Sequence, residues 1–469
     1  MDKFGVIWTR YGGQPCKLAD MVLTPSELRI TKHPDAVGLP GPSLIHDKLG
    51  ISTIEYKRDQ WRHLPPQLEA LLPPSNRDNP QRVILSKLLS RHIDTRGMPI
   101  IEQEWEMLLF AGRNGIGHLD VFPSDQIAER IYAKAPLPTI KASAASDLWA
   151  TFKRIAEDTA KDNNEIDEIV QAIGPTPGIS GFNPKLFVGL DMQADQWSGG
   201  ISPSTGLQAI VKVESERYPG LLPLEALAYD IHNQARIPTP KYWLREIDFE
   251  GEKFPILAIE RFDRAKNGTP IPLESVFSLL RTGSPTKFYD TTDGTMEDVW
   301  NAIKYVTANQ INDRFNLFSR FTLALLTGNG DLHLENWSML GCCGSVGLSP
   351  VYDPAPMRAY RAFRSNHDLL SALPFSGIGG TGNTPYASSG EIPADLGSKL
   401  VQFGEYLGLA NRTCRTRLAE LLELSTDYPE KAIAMLESIP IHRRKQNAPD
   451  IAGFEKTLAE LHKSLSTGL

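Results

Sequence analysis

The sequence is poor in cysteine and has no long apolar run. Its four cysteines are Cys16, Cys342, Cys343 and Cys414. They lack the spacing of zinc ligands, and vicinal cysteines such as Cys342 and Cys343 rarely form a structural bridge, so we expect reduced thiols in a reducing compartment. No stretch approaches the length of a membrane-spanning helix, and the opening residues MDKFGVIWTRYGG lack the apolar core of a signal peptide. These absences predict a cytoplasmic protein without a membrane contact.

An excess of positive charge is also missing. The 49 Lys and Arg residues are outnumbered by 56 Asp and Glu residues, which gives a formal net charge of −7. This balance argues against extensive nucleic-acid wrapping, although it leaves room for a local basic patch. With 41% hydrophobic and 22% charged residues, the chain has a globular composition, and its 469 residues predict two or three domains.

The most informative stretch lies between Leu325 and Asp353. Asp331 precedes Asn336 by five residues, and an apolar strand, a glycine-rich turn and a second strand lead to Asp353. The D-x-x-x-x-N spacing is typical of a phosphotransferase catalytic loop, in which the Asp accepts the proton of the acceptor hydroxyl and the Asn holds magnesium. Because the two ends of a hairpin lie close together, Asn336 and Asp353 can bind one ion. The alternative is a polar turn and an ordinary hairpin whose acids cap it.

A second informative stretch precedes it by about 120 residues. GPTPGISGF is rich in Gly, Pro and Ser, and it is followed by the predicted strands KLFVGLD and LQAIVKVES, the second of which carries Lys212. A flexible loop with exposed backbone N–H groups and a strand lysine can together bind nucleotide phosphates. The loop does not match G-x-G-x-x-G. The alternative for Lys212 is an edge-strand lysine facing water.

Two further segments fit a nucleotide site. A predicted helix from Leu224 to about Ala235 carries Glu225, which can pair with Lys212, although an acid in a first helical turn also complements the helix dipole. The strand PILAIERFDR then leads into Glu260 and Phe262. A short linker between lobes offers backbone groups to an adenine edge, and Phe262 can pack against the base. The alternative is a strand end with surface charges.

The remaining segments predict the flanking architecture. FGVIWTR and MVLTPSELRIT each read as a strand, Trp105 to Gly117 reads as a helix with a glycine turn, and HLDVF reads as a strand. The glycines 112, 115 and 117 follow a helix, so a plain turn is favoured over a phosphate loop. From Pro272 onward the 3.6-residue periodicity predicts a mainly helical region.

These segments together resemble the HipA family of bacterial serine/threonine kinases, the toxins of HipA/HipB-type toxin–antitoxin pairs. GNGDLHLENWSML and LSPVYD are similar to the family's catalytic loop and metal-binding segment, AIVKVES to its lysine strand and AIERFDR to its hinge. FNPK after GISG resembles the end of its phosphate loop. LLPPSNRDNP and WEMLLFAGRNGIGHLDVFPSD resemble its N-terminal subdomain.

The resemblance implies a role for each matching position and the cofactors ATP and Mg²⁺. The implied roles are Asp331 as catalytic base, Asn336 and Asp353 as magnesium ligands, Lys212 on the ATP phosphates with Glu225 supporting it, Glu260 and Phe262 at the adenine, Asp263 near the ribose, His333 beside the phosphates, and Ser180 and Gly181 in the phosphate loop.

Two positions depart from the family pattern. The family phosphorylates itself at serine in an S-x-S-G-like sequence, whereas this chain has GISG, so Gly178 replaces the first serine and autophosphorylation is implied at Ser180 alone. Glu335 stands where the family usually has a lysine near the transferred phosphate. An acid removes positive charge from the place where negative charge develops, which predicts slower transfer, an altered metal requirement or compensation by another cation.

The sequence and the resemblance together predict an α+β, bilobal protein-kinase-like fold. Residues 1–135 are expected to form an N-terminal mixed α/β subdomain, residues 136–264 the kinase N-lobe and residues 265–469 a helical C-lobe. The expected function is a serine/threonine kinase toxin that phosphorylates a translation component such as an aminoacyl-tRNA synthetase. The resemblance implies a HipB-like helix-turn-helix antitoxin through which DNA is reached indirectly. The alternatives are a small-molecule kinase of the choline or aminoglycoside type and a pseudokinase acting as a binding or repressor module.

Overall fold

The computed structural model describes most of the chain. The described residues are 2–73, 80–134, 140–141, 185–191, 196–198, 207–249, 251–283, 287–288, 290–342, 344–361, 370–378, 392–444 and 448–469. Ser180 and Gly181 of the predicted phosphate loop and Cys343 lie outside them.

An antiparallel sheet with five strands dominates the first 134 residues. Its strands are β1 (Lys3–Thr9), β2 (Cys16–Leu23), β3 (Glu27–Lys32), β4 (Thr53–Lys57) and β5 (Asp120–Phe122), in the order β4-β3-β2-β1-β5. The helices are α1 (Leu44–Lys48), α2 (Pro66–Glu69), α3 (Pro80–Ser90), α4 (Ile100–Ala111) and α5 (Asp125–Tyr132). The stretch MVLTPSELRIT, predicted as one strand, is a hairpin. Pro25 has no backbone N–H to donate, and the chain turns there with Thr24 N donating to Glu27 O at 2.8 Å.

A six-stranded sheet follows. Its strands are β6 (Ile140–Lys141), β7 (Lys185–Asp191), β8 (Gln196–Ser198), β9 (Leu207–Val213), β10 (Tyr242–Phe249) and β11 (Glu252–Glu260), in the order β10-β11-β9-β7-β8-β6. The helix α6 (Leu221–Gln234) begins after Gly220, whose φ of 87° lies in the left-handed region. A Cβ at Gly220 would approach Ile439 Cδ1 to 2.3 Å, so this entry turn requires glycine.

The rest of the chain is mainly helical, as predicted. A small sheet in the order β12-β13-β14 contains β12 (Leu273–Ser275), β13 (Ser338–Leu340) and β14 (Gly347–Leu348). The helices are α7 (Val276–Gly283), α8 (Met296–Val306), α9 (Gln310–Thr327), α10 (Leu396–Tyr406), α11 (Asn411–Leu424), α12 (Tyr428–Glu437) and α13 (Ile451–Ser466). The α+β architecture with a helical C-terminal part is thus confirmed.

The two faces of the six-stranded sheet pack against different cores. Alternate residues of a strand point to opposite faces. Ile256 and Ala258 belong to one core with residues of the five-stranded sheet, whereas Leu257 and Ile259 belong to the core of α6 and the C-terminal helices. The five-stranded sheet therefore shares a hydrophobic core with the six-stranded sheet. The predicted boundary at residue 135 remains a prediction about the domains.

The same alternation selects the face on which the polar residues lie. Leu186 and Val188 of β7 and Val211 and Val213 of β9 all contribute to the core shared with the five-stranded sheet. Lys212 lies between two of these valines, so its side chain lies on the opposite face, toward α6. Among the described helices, none is both long and apolar enough to cross a membrane.

Candidate active site

A tight turn brings Asp331 and Asn336 together. The buried helix α9 ends at Gly328, which has a φ of 72°, and a Cβ there would lie 2.7 Å from Phe454. The turn that follows is fixed by its own side chains. Asn336 Nδ2 donates to the carbonyl oxygen of Asp331 at 2.7 Å, and Asp331 N donates to Asn329 Oδ1 at 3.0 Å. The predicted D-x-x-x-x-N segment is therefore a closed turn.

Asp353 lies against two lysines of the six-stranded sheet. Its Oδ1 is 2.6 Å from Lys212 Nζ, and its Oδ2 is 3.4 Å from Lys185 Nζ. Lys212 Nζ also donates to Glu225 Oε1 at 2.5 Å. The predicted grouping of Lys212, Glu225 and Asp353 is found, and Lys185 is added to it. The roles assigned to these residues remain predictions.

The two lysines are direct cross-strand neighbours. Lys185 of β7 pairs with Lys212 of β9, and both are about 3% exposed. Like charges at opposed positions destabilise a sheet unless anions lie between them. Burial lowers the pKa of Lys185. Burial would lower the pKa of Lys212 too, but the carboxylates of Asp353 and Glu225 outweigh it and raise that pKa.

The backbone of Asp353 is in a conformation that is uncommon outside glycine. Its φ is 53°, and its N–H donates to the hydroxyl of Tyr229, on α6, at 3.2 Å. Asp tolerates the left-handed region better than most residues, and such outliers cluster at functional sites. Burial alone would raise the pKa of Asp353, but the two lysines outweigh it and hold that pKa well below its usual range. The carboxylate is therefore ionised.

His333 and Glu335 complete the turn. The N–H of Glu335 donates to His333 Nδ1 at 3.2 Å, so a neutral His333 carries its proton on Nε2. Burial lowers the pKa of His333, which favours this neutral form. The carbonyl of Glu335 accepts from the Tyr352 hydroxyl, which also bonds to Ser338 Oγ at 2.6 Å. Tyr352, which directly precedes Asp353 in the chain, thus connects the segment of Asp353 to the turn.

The linker after β11 reaches the corner formed by Asp353, Lys185, Lys212 and the Asp331–Asn336 turn. The ring centroids of Phe262 and Tyr352 are 5.8 Å apart. Glu260, at the end of β11, donates its N–H to Lys241 O at 2.8 Å. Phe262 therefore lies close to the residues around Asp353, and the adenine roles of Glu260 and Phe262 remain predictions.

The contacts of Asp263 differ from those that its predicted role near the ribose implies. Its carboxylate is bound by the guanidinium groups of Arg261 and Arg264, at 2.7 and 2.9 Å, and by the N–H of Gly117 at 2.9 Å. The side chain is 7% exposed. With these donors engaged and little exposure, Asp263 joins the linker to the N-terminal glycine turn. A ribose contact requires an accessible carboxylate oxygen, and the predicted role of Asp263 near the ribose stays a prediction.

The glycine turn is structural, as predicted. Arg261 donates to the carbonyl of Asn114 at 3.0 Å, and Arg264 donates to the carbonyls of Gly115 and Gly117 at 2.9 and 2.7 Å. A turn that presents carbonyl oxygens to two buried arginines does not bind phosphate.

The donor set of the corner suits magnesium. Mg²⁺ prefers carboxylate and amide oxygens. Asp353 supplies a carboxylate that is 22% exposed, and Asn336 uses its amide nitrogen to hold Asp331, which leaves its amide oxygen as the group for a metal. The oxygens of Asn336 and Asp353 are thus of the type that magnesium prefers, and the magnesium site stays a prediction.

Lys185 and Tyr229 were missed from the sequence. A signal for Lys185 existed, because KLFVGLD begins with a lysine directly after the flexible loop. Recognising it required the register that pairs Lys185 with Lys212. Tyr229 has no such signal, since a tyrosine in a helix core is ordinary packing.

Comparisons with known proteins agree with this geometry. A Haemophilus influenzae protein described as "Putative kinase" is 27% identical over 242 residues, which cover 49% of this chain and 67% of the relative. The Sinorhizobium fredii protein "Putative kinase Y4dM" is 29% identical over 192 residues, which cover 39% of this chain and 42% of the relative. The chain thus spans about two thirds of the first relative and less than half of the second.

A solved structure matches nearly the whole chain. It is HipA of Shewanella oneidensis MR-1, in a complex with HipB and operator DNA, with a TM-score of 0.65 and 16% identity over 98% of this chain and 96% of that chain. At this identity the likeness concerns the fold. The family model described as HipA-like C-terminal domain matches residues 178–426, which are 249 of the 469 residues. The chain therefore belongs to the HipA-like C-terminal domain family.

Proposed function

We propose that the protein is an ATP- and Mg²⁺-dependent serine/threonine protein kinase. The observation that carries this proposal is the contact of Asp353 with Lys185 and Lys212 beside the closed Asp331–Asn336 turn. Phosphoryl transfer needs alignment and charge neutralisation more than covalent help from the protein. The corner offers two cations for phosphates, two metal ligands and a carboxylate for the acceptor.

Each group then has a defined task. The acceptor oxygen forms a bond to the γ-phosphorus while the bond from that phosphorus to the ADP oxygen breaks, and Asp331 takes the hydroxyl proton. Asn336 and Asp353 would hold a magnesium ion, which would neutralise phosphate charge when bound. Lys212, aimed by Glu225, and Lys185 contact the ATP phosphates, and Phe262 packs against the adenine.

The cellular role follows from the family. As a HipA-type toxin, the protein arrests growth by phosphorylating a translation component such as an aminoacyl-tRNA synthetase, and Ser180 is a site of autophosphorylation. A HipB-like helix-turn-helix antitoxin binds it and provides the contact with DNA. The HipA–HipB–DNA complex of Shewanella oneidensis, which has the same fold, supports this partner.

The assignment of the base is tested with Asp331→Ala. We expect transfer of labelled γ-phosphate to protein to fall at least a thousandfold, while fluorescent ATP-analogue binding is retained. Asp427→Ala, at a side chain that is 75% exposed, is the matched control and should keep full transfer. Unchanged labelling in Asp331→Ala rejects the base. Nucleotide binding without turnover in the wild type rejects the kinase.

A further inference from the structure

Glu335 belongs to the same turn as the proposed base, and its backbone is held in place. It belongs to the 3₁₀ turn Leu334–Asn336, and both of its peptide groups are held, the N–H by His333 and the carbonyl by Tyr352. Its side chain is half-buried. Across the part of the chain that the structure describes, its carboxylate has no hydrogen bond or ion pair.

The groups near Glu335 do not neutralise it. Glu69 and Asp290 act on it electrostatically as further acids, and the segment of Asp290 is joined to the turn where Leu334 N donates to Thr291 O at 2.9 Å. The groups that can act on Glu335 as cations are His333, which is neutral because burial lowers its pKa, and Arg281. Glu69 already binds Arg281 Nη1 at 2.9 Å.

Arg281 is also held by packing. Its guanidinium lies over the rings of Trp61 and Phe277, at 5.3 and 5.5 Å from their centroids, and the residue is 8% exposed. A cation fixed by two rings and a carboxylate cannot swing to a second acid without losing all three contacts. Arg281 therefore does not form an ion pair with Glu335.

A partly desolvated carboxylate without a partner costs free energy, and such groups are kept where a ligand completes them. The acceptor has to bring its hydroxyl to Asp331, four residues before Glu335 in the same closed turn. A neighbouring group of the acceptor is then within reach of Glu335.

We propose that Glu335 binds a lysine or arginine side chain of the protein substrate, next to the serine or threonine that is phosphorylated. Glu69 and Asp290 add to the negative potential that attracts this cation. Glu335 is thus a specificity-determining residue. The inference rests on the proposed kinase function and names the local chemistry of its acceptor.

The test uses the full-length protein, Mg²⁺, labelled ATP and peptides with a central serine flanked by Lys/Arg, Ala or Asp/Glu. We expect wild type to use the Lys/Arg peptides with kcat/KM about tenfold above the Ala peptides, mainly through a lower peptide KM. Glu335→Gln, which keeps the size of the side chain, should remove this preference without changing the KM for ATP. Glu335→Lys should favour the Asp/Glu peptides.

Glu246→Gln, at an exposed acid of β10, is the matched control and should keep the wild-type preference. Equal use of the three peptide sets by wild type, or a preference that survives in Glu335→Gln, overturns the inference and leaves the kinase intact. Phosphorylation of small aminoalcohols in place of every peptide overturns the protein acceptor. No transfer to any acceptor or to the protein itself overturns the kinase and the inference together.

Discussion

In the part of the chain that the structure describes, Asp353 and Asp263 each lie between two cations, but they differ in the type of cation and in exposure. Asp353 is held by Lys185 and Lys212, and its side chain is 22% exposed. Asp263 is held by Arg261 and Arg264 and also by a backbone N–H, and its side chain is 7% exposed.

We call Asp353 with Lys185 and Lys212 the exchangeable site, and Asp263 with Arg261 and Arg264 the permanent joint. Lysine is a point charge that can move from a carboxylate to a phosphate, whereas the planar fork of arginine fixes a geometry. The arginines beside Asp263 also donate to carbonyls of the glycine turn about 147 residues earlier in the chain. Similar charge arrangements are therefore found at the proposed ligand site and at a tertiary contact.

The largest expected effect is on activity, at the exchangeable site. Asp353→Asn removes the anion that lies between the two lysines, and it also removes a proposed magnesium ligand. We therefore expect the rate of phosphoryl transfer to fall at least a thousandfold. The measurement is labelled γ-phosphate incorporation at saturating ATP and Mg²⁺. Because water reaches this side chain, the urea midpoint should change less than in Asp263→Asn. Wild-type transfer would remove Asp353 from the site.

The next effect is on stability, at the permanent joint. Asp263→Asn leaves two buried arginines without their anion, and removing one partner of a buried ion pair costs about 3 kcal/mol in the free energy of unfolding. Urea unfolding followed by circular dichroism measures it. The folded fraction should still transfer phosphate. A variant as stable as wild type but inactive would reverse the comparison and return Asp263 to the nucleotide site.

The smallest expected effect is a pH dependence of the free energy of unfolding that arises from Asp263. Burial would raise its pKa, but Arg261 and Arg264 outweigh burial and lower it from 3.8 to about 2. A carboxyl whose pKa is lower in the folded state stabilises the fold above pH 3.8 and loses this contribution as the pH falls toward 2. The loss amounts to about 2 kcal/mol.

The comparison of wild type with Asp263→Asn isolates this contribution. The difference between their free energies of unfolding should be constant from pH 7 to 5 and should become smaller below about pH 4. Urea unfolding at a series of pH values, down to the lowest at which both proteins fold, measures this difference. A gap that stays constant into acid would mean that the arginines do not hold Asp263 ionised.

The exchangeable site was largely predictable because its signals are local. The spacing of Asp331 and Asn336 fixes one turn, and strand alternation puts Lys212 on the face toward α6. The hairpin then returns the chain to Asp353. The second strand of this hairpin is shorter than predicted, because β14 contains only Gly347–Leu348. The chain still leads from this strand to Asp353.

The permanent joint was not predictable from local pattern. Asp263 follows a strand in a linker, as a nucleotide-binding acid would. Its partner Gly117 and the Asn114 carbonyl, which accepts from Arg261, lie between α4 and β5. A single sequence gives no signal for a contact at that separation. The electrostatic neighbourhood of Glu335 was missed for the same reason, since Glu69 and Arg281 are more than 200 residues apart.

The core that the five-stranded sheet shares with the six-stranded sheet limits how this protein can be divided. A fragment that starts at residue 178 contains the whole family match, yet it leaves one side of β7, β9 and β11 without its apolar cover. Such a fragment would expose Leu186, Val211 and Ile256 to water and would be expected to self-associate. The two sheets thus depend on each other for the burial of one shared hydrophobic core.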